Sequence, residues 1–370
     1  MLRKLVFWPH LVVGLGTGIV VFLLCLSGAI LEFEWQWVDW AESDARALAS
    51  GDSSAWLSPD ALIAKAAAVE TDKVVNIEWF SDPKMPVRLR TANQHLVLLN
   101  PFTGEVLGRG ATSLRAFFQW VTNLHTNLVL KVSGDWIVSI GNCCFVFLVL
   151  SGLFLWWPRQ WHWKALRNSM AMRFDVKGKA RDWNWHNALG FWFLLPLFFI
   201  AATGIVLSFN AANLWWGTFA SEHLLAAPQP VKTLSVATPT NGKTAPGWSD
   251  WMRTVRQHFP SWRSIALSTS KPLDPQAELS FTINRGLPNH RTSVFKVKLD
   301  KATNTIMQES SWTSDEGRNR ARAIVRLGHT GEILGLGGQV LAFLACLAGL
   351  VLVYTGFALS WRRFGFGGRA

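Results

Sequence analysis

Four of the nine histidines form two pairs that occupy matching places in the two halves of the chain. An offset of 176 residues carries His10 onto His186, and an offset of 204 residues carries His125 onto His329. Imidazole is the commonest protein ligand for metal ions and changes its charge near physiological pH. A lone histidine beside an apolar segment is more easily explained by a bond to a lipid headgroup or a backbone carbonyl. Four that match in pairs instead indicate two sites of the same chemistry.

The histidines belong to an internal repeat, a feature that determines how a whole chain is organised. The segment WPHLVVGLGTGIVVFLLCLSGAIL (8–31) matches WHNALGFWFLLPLFFIAATGIVL (185–207) without a gap. A second match, at the larger offset, aligns Gly134 with Gly338. The chain therefore consists of two copies of one unit, each with histidines before its two apolar spans.

Two glycines in each copy stand on the same helical face as the histidine. Gly14 and Gly190 follow the histidine by four residues and share its face. Gly28 and Gly204 follow it by 18 residues, which is five turns at about 3.6 residues each, or about 27 Å further along the helix. A glycine on this face leaves room for a flat macrocycle. Close contact between helices through small residues is a competing explanation, and both can hold at once.

The composition is that of a membrane protein. Half of the 370 residues are hydrophobic, with 22 Trp and a single Tyr. Runs of about 20 apolar residues are long enough to cross a bilayer as helices. Such runs lie at roughly 10–31, 135–157, 187–208 and 337–360. The first has no small-residue cleavage site, so we interpret it as a retained anchor. The predicted fold is an α-helical four-span bundle from a tandem repeat, with two α+β modules outside the bilayer.

The positive charges predict the orientation. The loop at 159–182 and the C-terminal tail are rich in Lys and Arg, and such segments remain in the cytoplasm. Both termini are then cytoplasmic, and the modules are periplasmic on a bacterial inner membrane. This topology explains part of the net charge of +12, for which nucleic acid is a poor explanation. The expected segments are span one (1–31), module one (32–114), an interfacial helix with span two (115–158), a cytoplasmic loop (159–184), span three (185–208), module two (209–326), an interfacial segment with span four (327–361) and a tail (362–370).

Each module has the pattern of a small α+β unit. In module one, Ser58 and Pro59 start a short helix, and module two has a helix at 247–259. Alternating apolar and polar residues between turn signals predict strands. These strands are expected at 74–80, 87–91 and 95–100 in module one and at SIALSTS, ELSFTIN and SVFKVKLD in module two.

The two modules differ in charge. Residues 32–114 carry 7 Lys or Arg against 12 Asp or Glu, whereas residues 209–328 carry 15 against 8. One interpretation is that the modules attract each other and form a single lid. The other is that they admit a charged ligand.

The paired histidines are expected at opposite membrane surfaces. His10 and His186 lie at the cytoplasmic ends of spans one and three, whereas His125 and His329 precede spans two and four on the periplasmic side. A continuous helix from His125 to Trp157 would be about 48 Å long, which exceeds a bilayer core of about 30 Å. A bend is therefore expected near 130–135 and, in copy two, near 334–338.

Two histidines at each surface, supplied by related helices, suit two b-type haems with paired axial imidazoles. One haem near each surface would give an electron path across the bilayer. Zinc fits less well, because carboxylates are few and Cys25, Cys143, Cys144 and Cys346 are not at ligand spacing. No C-x-x-C-H is present, so covalent haem attachment is not expected. The remaining histidines have no partner in the repeat and are interpreted as surface or hairpin residues: His95, His162, His223, His258 and His290.

These motifs resemble the family of PepSY-associated transmembrane proteins. WPHLVVGLG and WNWHNALGF resemble its HxxxG spans, and LHTNLVLKVSGDWIV and GHTGEILGLGGQVLA resemble its paired second spans. LNPFTGEVL resembles the PepSY closing turn, although copy two has Lys-Ala-Thr-Asn in place of Pro-Phe-Thr-Gly. The likeness covers nearly the whole chain, without a reductase module on the cytoplasmic side.

The resemblance implies an inner-membrane oxidoreductase with two haems that reduces ferric siderophores of the ferrioxamine type. His10 and His186 would ligate one haem iron, and His125 and His329 the other. The expected acceptor is a ferric siderophore, a hydroxamate by this resemblance. Hard oxygen chelators hold Fe(III) far better than Fe(II), so reduction releases the iron. No dinucleotide or flavin domain is evident, so a cytoplasmic protein or a membrane quinol is the expected electron donor.

Two other functions stay open at this point. One is a haem-linked electron carrier for another periplasmic acceptor. The other is a non-enzymatic PepSY module that binds or restrains a periplasmic protein and has merely structural histidines. Tryptophans near the points where the modules follow the predicted spans either enclose the chelate or anchor the chain among membrane lipids. They are Trp35, Trp37, Trp215 and Trp216.

Overall fold

The computed structural model describes residues 2–43, 56–93, 95–157, 163–233, 246–268, 278–286 and 291–365. The chain divides into two compact units. The helical unit consists of Met1–Glu34, Phe117–Leu225 and Ala321–Ala370, and the sheet unit consists of Trp35–Ala116 and Ala226–Arg320. The α-helices of the described residues are α1 (Leu2–Leu31), α2 (Glu34–Ala41), α3 (Pro59–Ala66), α4 (Thr112–Asn127), α5 (Val132–Trp156), α6 (Trp163–Met170), α7 (Gly178–Trp192), α8 (Leu194–Ser208), α9 (Asn210–His223), α10 (Trp248–His258), α11 (Gly317–His329) and α12 (Gly335–Arg363).

The helical unit contains the membrane spans. Of the helices described, α1, α5 and α12 (with the turn that precedes it) are each long and apolar enough to cross a bilayer. The pair α7 and α8 passes the same test together, but the two helices are bent by 68°. The protein is therefore a membrane protein with three candidate spans, or four if the bent pair crosses as one.

The bend corrects the expectation of one continuous third span at 187–208. The break falls at Phe193, three residues before Pro196. A proline has no N–H to donate to the carbonyl four residues earlier, here that of Trp192, and its ring clashes with that carbonyl. The helix therefore ends and restarts just before the proline.

The spans of the two copies pack against each other. Helix α1 contacts both α5 and α12, and the α7–α8 pair contacts the same two helices. The approach is close where glycine faces a bulky side chain, as small residues allow in membranes. A Cβ on Gly18 would lie 2.7 Å from the Phe357 ring, and one on Gly349 would lie 2.5 Å from Cys25 Sγ.

Each second span is preceded by a tight turn, in the region where the sequence indicates a bend. In copy one, Leu128, Val129 and Lys131 all have positive φ angles between α4 and α5. At the end of each turn, the backbone of the second span packs closely against the backbone that precedes the turn. A Cβ on Gly134 would lie 1.6 Å from the Asn127 carbonyl oxygen, and one on Gly338 would lie 2.1 Å from that of Gly331.

We call the end of the bundle that contains the turns at 128–131 and 330–334 the hairpin end. There, Gln339 donates a hydrogen bond to the backbone carbonyl of Glu32 at 3.0 Å. The terminus end is where α1 begins and α12 ends, with the Arg363 guanidinium 4.7 Å from the centre of the Phe7 ring.

The sheet unit contains a single antiparallel sheet, to which both predicted modules contribute strands. Its strands run in the order β4-β3-β2-β1-β6-β7-β8-β9-β5. Strand β1 of the first module pairs with β6 of the second, so that neither strand is left with an exposed edge. The strands are β1 (Val74–Phe80), β2 (Val87–Thr91), β3 (Leu96–Leu99), β4 (Val106–Gly108), β5 (Lys232–Thr233), β6 (Ser264–Ser268), β7 (Leu279–Asn284), β8 (Val294–Asp300) and β9 (Thr305–Ser311).

Helices α3 and α10 pack on this sheet. Leu62 and Val255 from the two helices belong to the same buried cluster as Trp79 on β1. Ser58 caps α3 by accepting a hydrogen bond from the Ala61 N–H at 3.3 Å. The predicted strands at 74–80 and 87–91 are confirmed with the same bounds.

Candidate functional site

At the terminus end, His10 on α1 reaches a hydroxyl group on α5. Its Nδ1 lies 2.8 Å from Ser151 Oγ, and that hydroxyl donates to the Phe147 carbonyl one turn earlier, at 2.6 Å. The glycine next to the serine gives the ring its space, because a Cβ on Gly152 would lie 3.5 Å from His10 Cε1. The imidazole is half-buried.

His186 on α7 repeats this arrangement against α12. Its Nδ1 lies 2.9 Å from Thr355 Oγ1, and that hydroxyl donates to the Val351 carbonyl at 2.8 Å. A Cβ on Gly356 would lie 3.7 Å from His186 Cε1.

At the hairpin end the histidines lie on the interfacial helices, and the hydroxyl groups that they contact lie on the spans. His125 Nδ1 lies 2.9 Å from Ser27 Oγ on α1, and His329 Nδ1 lies 2.9 Å from Thr203 Oγ1 on α8. Both hydroxyls again donate to a carbonyl one turn earlier, at 2.6 and 2.7 Å. His329 Nδ1 is also 3.0 Å from the carbonyl oxygen of Ile200.

These contacts determine which nitrogen of each ring is free. A hydroxyl has one proton, and here each hydroxyl uses it on a helix carbonyl, so it can only accept from the imidazole. A carbonyl oxygen, such as that of Ile200, also can only accept. The Nδ1 atom therefore carries the proton, and Nε2 keeps its lone pair. A hydrogen bond of this kind orients a metal-binding histidine and selects its tautomer.

The hairpin-end rings also have the spacing of a shared metal ion. The ring centroids of His125 and His329 are 6.2 Å apart, with their planes at 61°. Two imidazoles that bind one metal ion through Nε2, at about 2.0 Å each, have centroids roughly 6 Å apart. Burial and, to a lesser extent, the nearby His329 lower the pKa of His125 to about 4. Both rings are thus neutral at pH 7, the form that binds metal.

The four glycines predicted to leave room for a macrocycle have different neighbours in the structure. A Cβ on Gly28 would be 3.4 Å from His125 Cε1, so this glycine borders a histidine. A Cβ on Gly204 would instead meet Asn142 at 3.2 Å, whereas Gly14 and Gly190 face leucines of neighbouring helices at 3.6 and 3.7 Å. The glycines next to the terminus-end rings are Gly152 and Gly356.

The hydroxyl partners were not identified as functional from the sequence. A signal existed, because the offsets that align the histidines also align Ser27 with Thr203 and Ser151 with Thr355. A serine or threonine inside a helix commonly bonds its own backbone, however. Its second contact, with an imidazole of another helix, is visible only in the structure.

A buried carboxylate, also not expected from the sequence, lies one helical turn before His186. Asp182 is fully buried and accepts from Arg181 at 2.9 Å on its own helix. It also pairs with Arg362 on α12. The ion pairs tie α7 to the helix that provides Thr355. Copy one has Val6 at the matching position.

Two carboxylates meet at the hairpin end. Burial and, to a lesser extent, repulsion from Glu332 raise the pKa of Glu32 to about 8. Among the described residues, neither Glu32 Oε1 nor Glu332 Oε2 has a hydrogen-bond partner. Glu32 is therefore mostly protonated at pH 7.

The other histidines are placed as follows. His95 Nδ1 lies 3.2 Å from Glu70 Oε2 and 3.4 Å from Asp72 Oδ2, which is the arrangement of an exposed ion pair. His258 pairs with Glu309 at 2.8 Å. His223 bonds the Phe219 carbonyl on its own helix. His162 and His290 lie outside the described residues.

Comparison with known proteins gives one family. A family model described as the PepSY-associated TM region matches residues 7–363, which is almost the whole chain. No curated protein matches the chain significantly.

Proposed function

The chain belongs to the family of proteins with a PepSY-associated TM region, and from that premise we propose that it is a haem b reductase of the bacterial inner membrane. It passes electrons across the bilayer, reduces a ferric siderophore in the periplasm and releases Fe(II). The observation that supports this proposal is the hydrogen bonding of the four imidazoles. Each has its Nδ1 proton bound by a hydroxyl that is itself committed to a helix carbonyl.

At each end, two histidines would hold a haem iron. His125 and His329 would hold one, and the 6.2 Å between their ring centroids agrees with a shared iron. His10 and His186 would hold the other. Ser27, Thr203, Ser151 and Thr355 keep the rings in the tautomer that binds iron. Haem b held by two imidazoles supplies one-electron transfer.

The orientation follows from the charges. The basic loop at 159–182 and the arginines in the last turn of α12 support a cytoplasmic location of the terminus end. The hairpin end then faces the periplasm. Electrons enter from a cytoplasmic protein or a membrane quinol at the terminus end. Each electron that reaches the acceptor converts one Fe(III) to Fe(II), which oxygen chelators hold weakly.

Visible spectroscopy of the detergent-purified chain tests the cofactor. The expected result is the spectrum of b-type haem with paired imidazoles. A folded but colourless protein would contradict the proposal and would favour a non-enzymatic PepSY module that binds a periplasmic protein.

A single-turnover reaction tests the activity. Dithionite-reduced protein, freed of excess reductant, is mixed with a ferric siderophore in the presence of a coloured Fe(II) chelator. The expected result is haem reoxidation with formation of the Fe(II) complex in equal amount. Reoxidation by quinones or other metals, but by no ferric siderophore tried, would identify the protein as an electron carrier for another acceptor.

A further inference from the structure

Helix α11, which ends at His329, carries three exposed arginines that the site described above does not use. Two of them, Arg322 and Arg326, lie within about two helical turns of the histidine. Neither guanidinium has a hydrogen bond or an ion pair with any of the described residues. Two like charges one turn apart repel each other and weaken a helix. These two charges therefore have no role in holding the described fold together.

Both arginines lie on the side of α11 that carries the imidazole. Arg322 precedes His329 by seven residues, which at about 100° per residue places it within about 20° of the same direction and about 10.5 Å along the axis. Arg326 precedes it by three residues, about 60° away and about 4.5 Å along the axis. The His329 ring contacts Thr203 and Ile200 of α8. The arginines thus point in nearly the same helical direction as His329, and both side chains remain exposed.

The matching helix of copy one, α4, has no arginine at the two equivalent positions. At the 204-residue offset, Phe118 and Thr122 of α4 stand where Arg322 and Arg326 stand in α11. Phe118 is buried and Thr122 is half-buried. The repeat therefore does not need arginine at these positions in order to place a histidine at the helix end. The charge is a property of one copy only.

The acidic groups near this end leave the arginines in excess. Glu332 follows His329 by three residues, and Glu32 is mostly neutral at pH 7 for the reason given above. Lys131 and Asp135 at the start of the other second span are both exposed and cancel in charge. Residues 322–332, which include His329, thus carry two guanidinium groups against one carboxylate and are positive.

We propose that Arg322 and Arg326 receive an anionic ferric chelate at the hairpin end, so that the protein selects carboxylate or catecholate complexes over neutral hydroxamate ones. This inference rests on the proposed function and names the substrate class. Guanidinium groups bind carboxylates and similar oxyanions through paired, charge-assisted hydrogen bonds. An unpaired positive surface also attracts anions from solution and raises their rate of encounter. The redox step is unchanged: one electron enters Fe(III), and the chelator oxygens then release Fe(II).

An equilibrium binding experiment on the full-length protein in phosphatidylcholine nanodiscs tests the selection without electron transfer. Gallium(III) replaces iron because it is not reduced. An anionic tris-catecholate complex is compared with a neutral trihydroxamate complex, at low salt and above 0.1 M salt. The expected result is an advantage of about tenfold or more for the anionic complex at low salt, which declines as the Debye length falls to about 10 Å and below.

Variants assign the effect to the two arginines. The double variant Arg322→Gln, Arg326→Gln should lose the advantage, and the Arg322→Lys, Arg326→Lys variant should keep most of it and control for folding. Arg253→Gln removes an equally exposed arginine, which pairs with Asp250 on α10, and should change nothing. Equal binding of the two gallium complexes, or an unchanged double glutamine variant, would overturn the inference.

Two further arms separate the possible failures. If the advantage disappears when phosphatidylglycerol is added to the nanodiscs, the arginines bind lipid headgroups and the inference is wrong. If the gallium complexes bind with the expected charge preference but no ferric chelate reoxidises the reduced protein, the proposed function fails and the binding surface stands.

Discussion

Helix α1 runs unbroken for 30 residues, whereas the matching span of copy two is divided at Phe193 into two helices bent by 68°. The contact between histidine and hydroxyl is nevertheless the same in both copies. The four distances from Nδ1 to oxygen lie between 2.8 and 2.9 Å. The backbone path can therefore change while the imidazole environment stays. This contrast shows that the four contacts do not depend on an unbroken span.

The surroundings of these contacts differ between copies. Copy two has the ion pairs of Asp182 at the terminus end, where copy one has Val6. Copy two also has arginines on α11 where α4 has Phe118 and Thr122. At the hairpin end Gly28 borders Cys346 and His125, whereas Gly204 borders Asn142. The same contact between histidine and hydroxyl is thus surrounded by different groups in the two copies.

Removing a histidine is expected to have the largest effect. His125→Ala and His329→Ala should each abolish the same one of the two proposed haems, because both rings serve one iron. His10→Ala should abolish the other. The haem content per chain, measured by pyridine haemochrome assay, would fall by about half in each case. His223→Ala on α9 is the control and should retain full content. Haem content that does not change in the single variants would refute the pairing.

Removing a hydroxyl tests whether the two copies are equivalent. Ser151→Ala and Thr355→Val leave Nδ1–H without its acceptor and should weaken haem binding about 10–100-fold, since loss of such an orienting partner has this effect on metal sites. Competition with apomyoglobin measures the affinity. The matched control is Ser139→Ala, whose hydroxyl on α5 also donates to a carbonyl one turn earlier but touches no histidine. An effect of one variant alone would show that only that hydroxyl orients an imidazole for haem binding.

The third prediction concerns the ion pairs that distinguish copy two. Asp182→Asn leaves Arg181 and Arg362 without their buried carboxylate and should lower the free energy of unfolding. Loss of one partner of a buried pair costs about 3–5 kcal/mol. We expect about 1–3 kcal/mol here, because both arginines are about one third exposed. Thermal unfolding in detergent is the measurement. Asp175→Asn, in the exposed pair with Arg173, should be neutral, and equal effects of both variants would contradict the assignment.

The smallest effect is a dependence of stability on pH. Glu32 has a pKa of about 8 against an ordinary 4.5, so between these values the folded protein holds a proton that the unfolded chain has lost. Stability should therefore fall as the pH rises through this window and level off above pH 8. The apparent melting temperature of Glu32→Gln should change less between pH 6 and 8 than that of the wild type. Parallel curves would show that Glu32 is not buried as described.

The sequence was a good guide where a local pattern determines the structure. Alternation in VVNIEWF and VRLRT gave β1 and β2 with their observed bounds, and apolar length gave the spans. The break at Phe193 has a local cause in Pro196, but that proline lies in a run whose hydrophobicity is otherwise continuous. The pairing of β1 with β6 joins strands almost 190 residues apart, and no local signal indicates it.

The candidate site was predictable in part. The offsets identified the four histidines, because a repeat preserves the positions of equivalent residues. The hydroxyl partners share the same offsets, yet each serine or threonine could have served its own helix alone. The arginines at 159–182 were counted as topology signals, so that the ion pair of Arg181 with a buried Asp182 could not be foreseen.

Electron paramagnetic resonance of the oxidised, purified protein tests the central claim most directly, because low-spin ferric haem with two imidazole ligands has a characteristic signal. Two such signals are expected, one from the pair His125 and His329 and one from the pair His10 and His186. The absence of any low-spin haem signal from a folded, membrane-inserted protein, or signals that persist when all four histidines are replaced, would contradict the claim that these imidazoles bind haem iron.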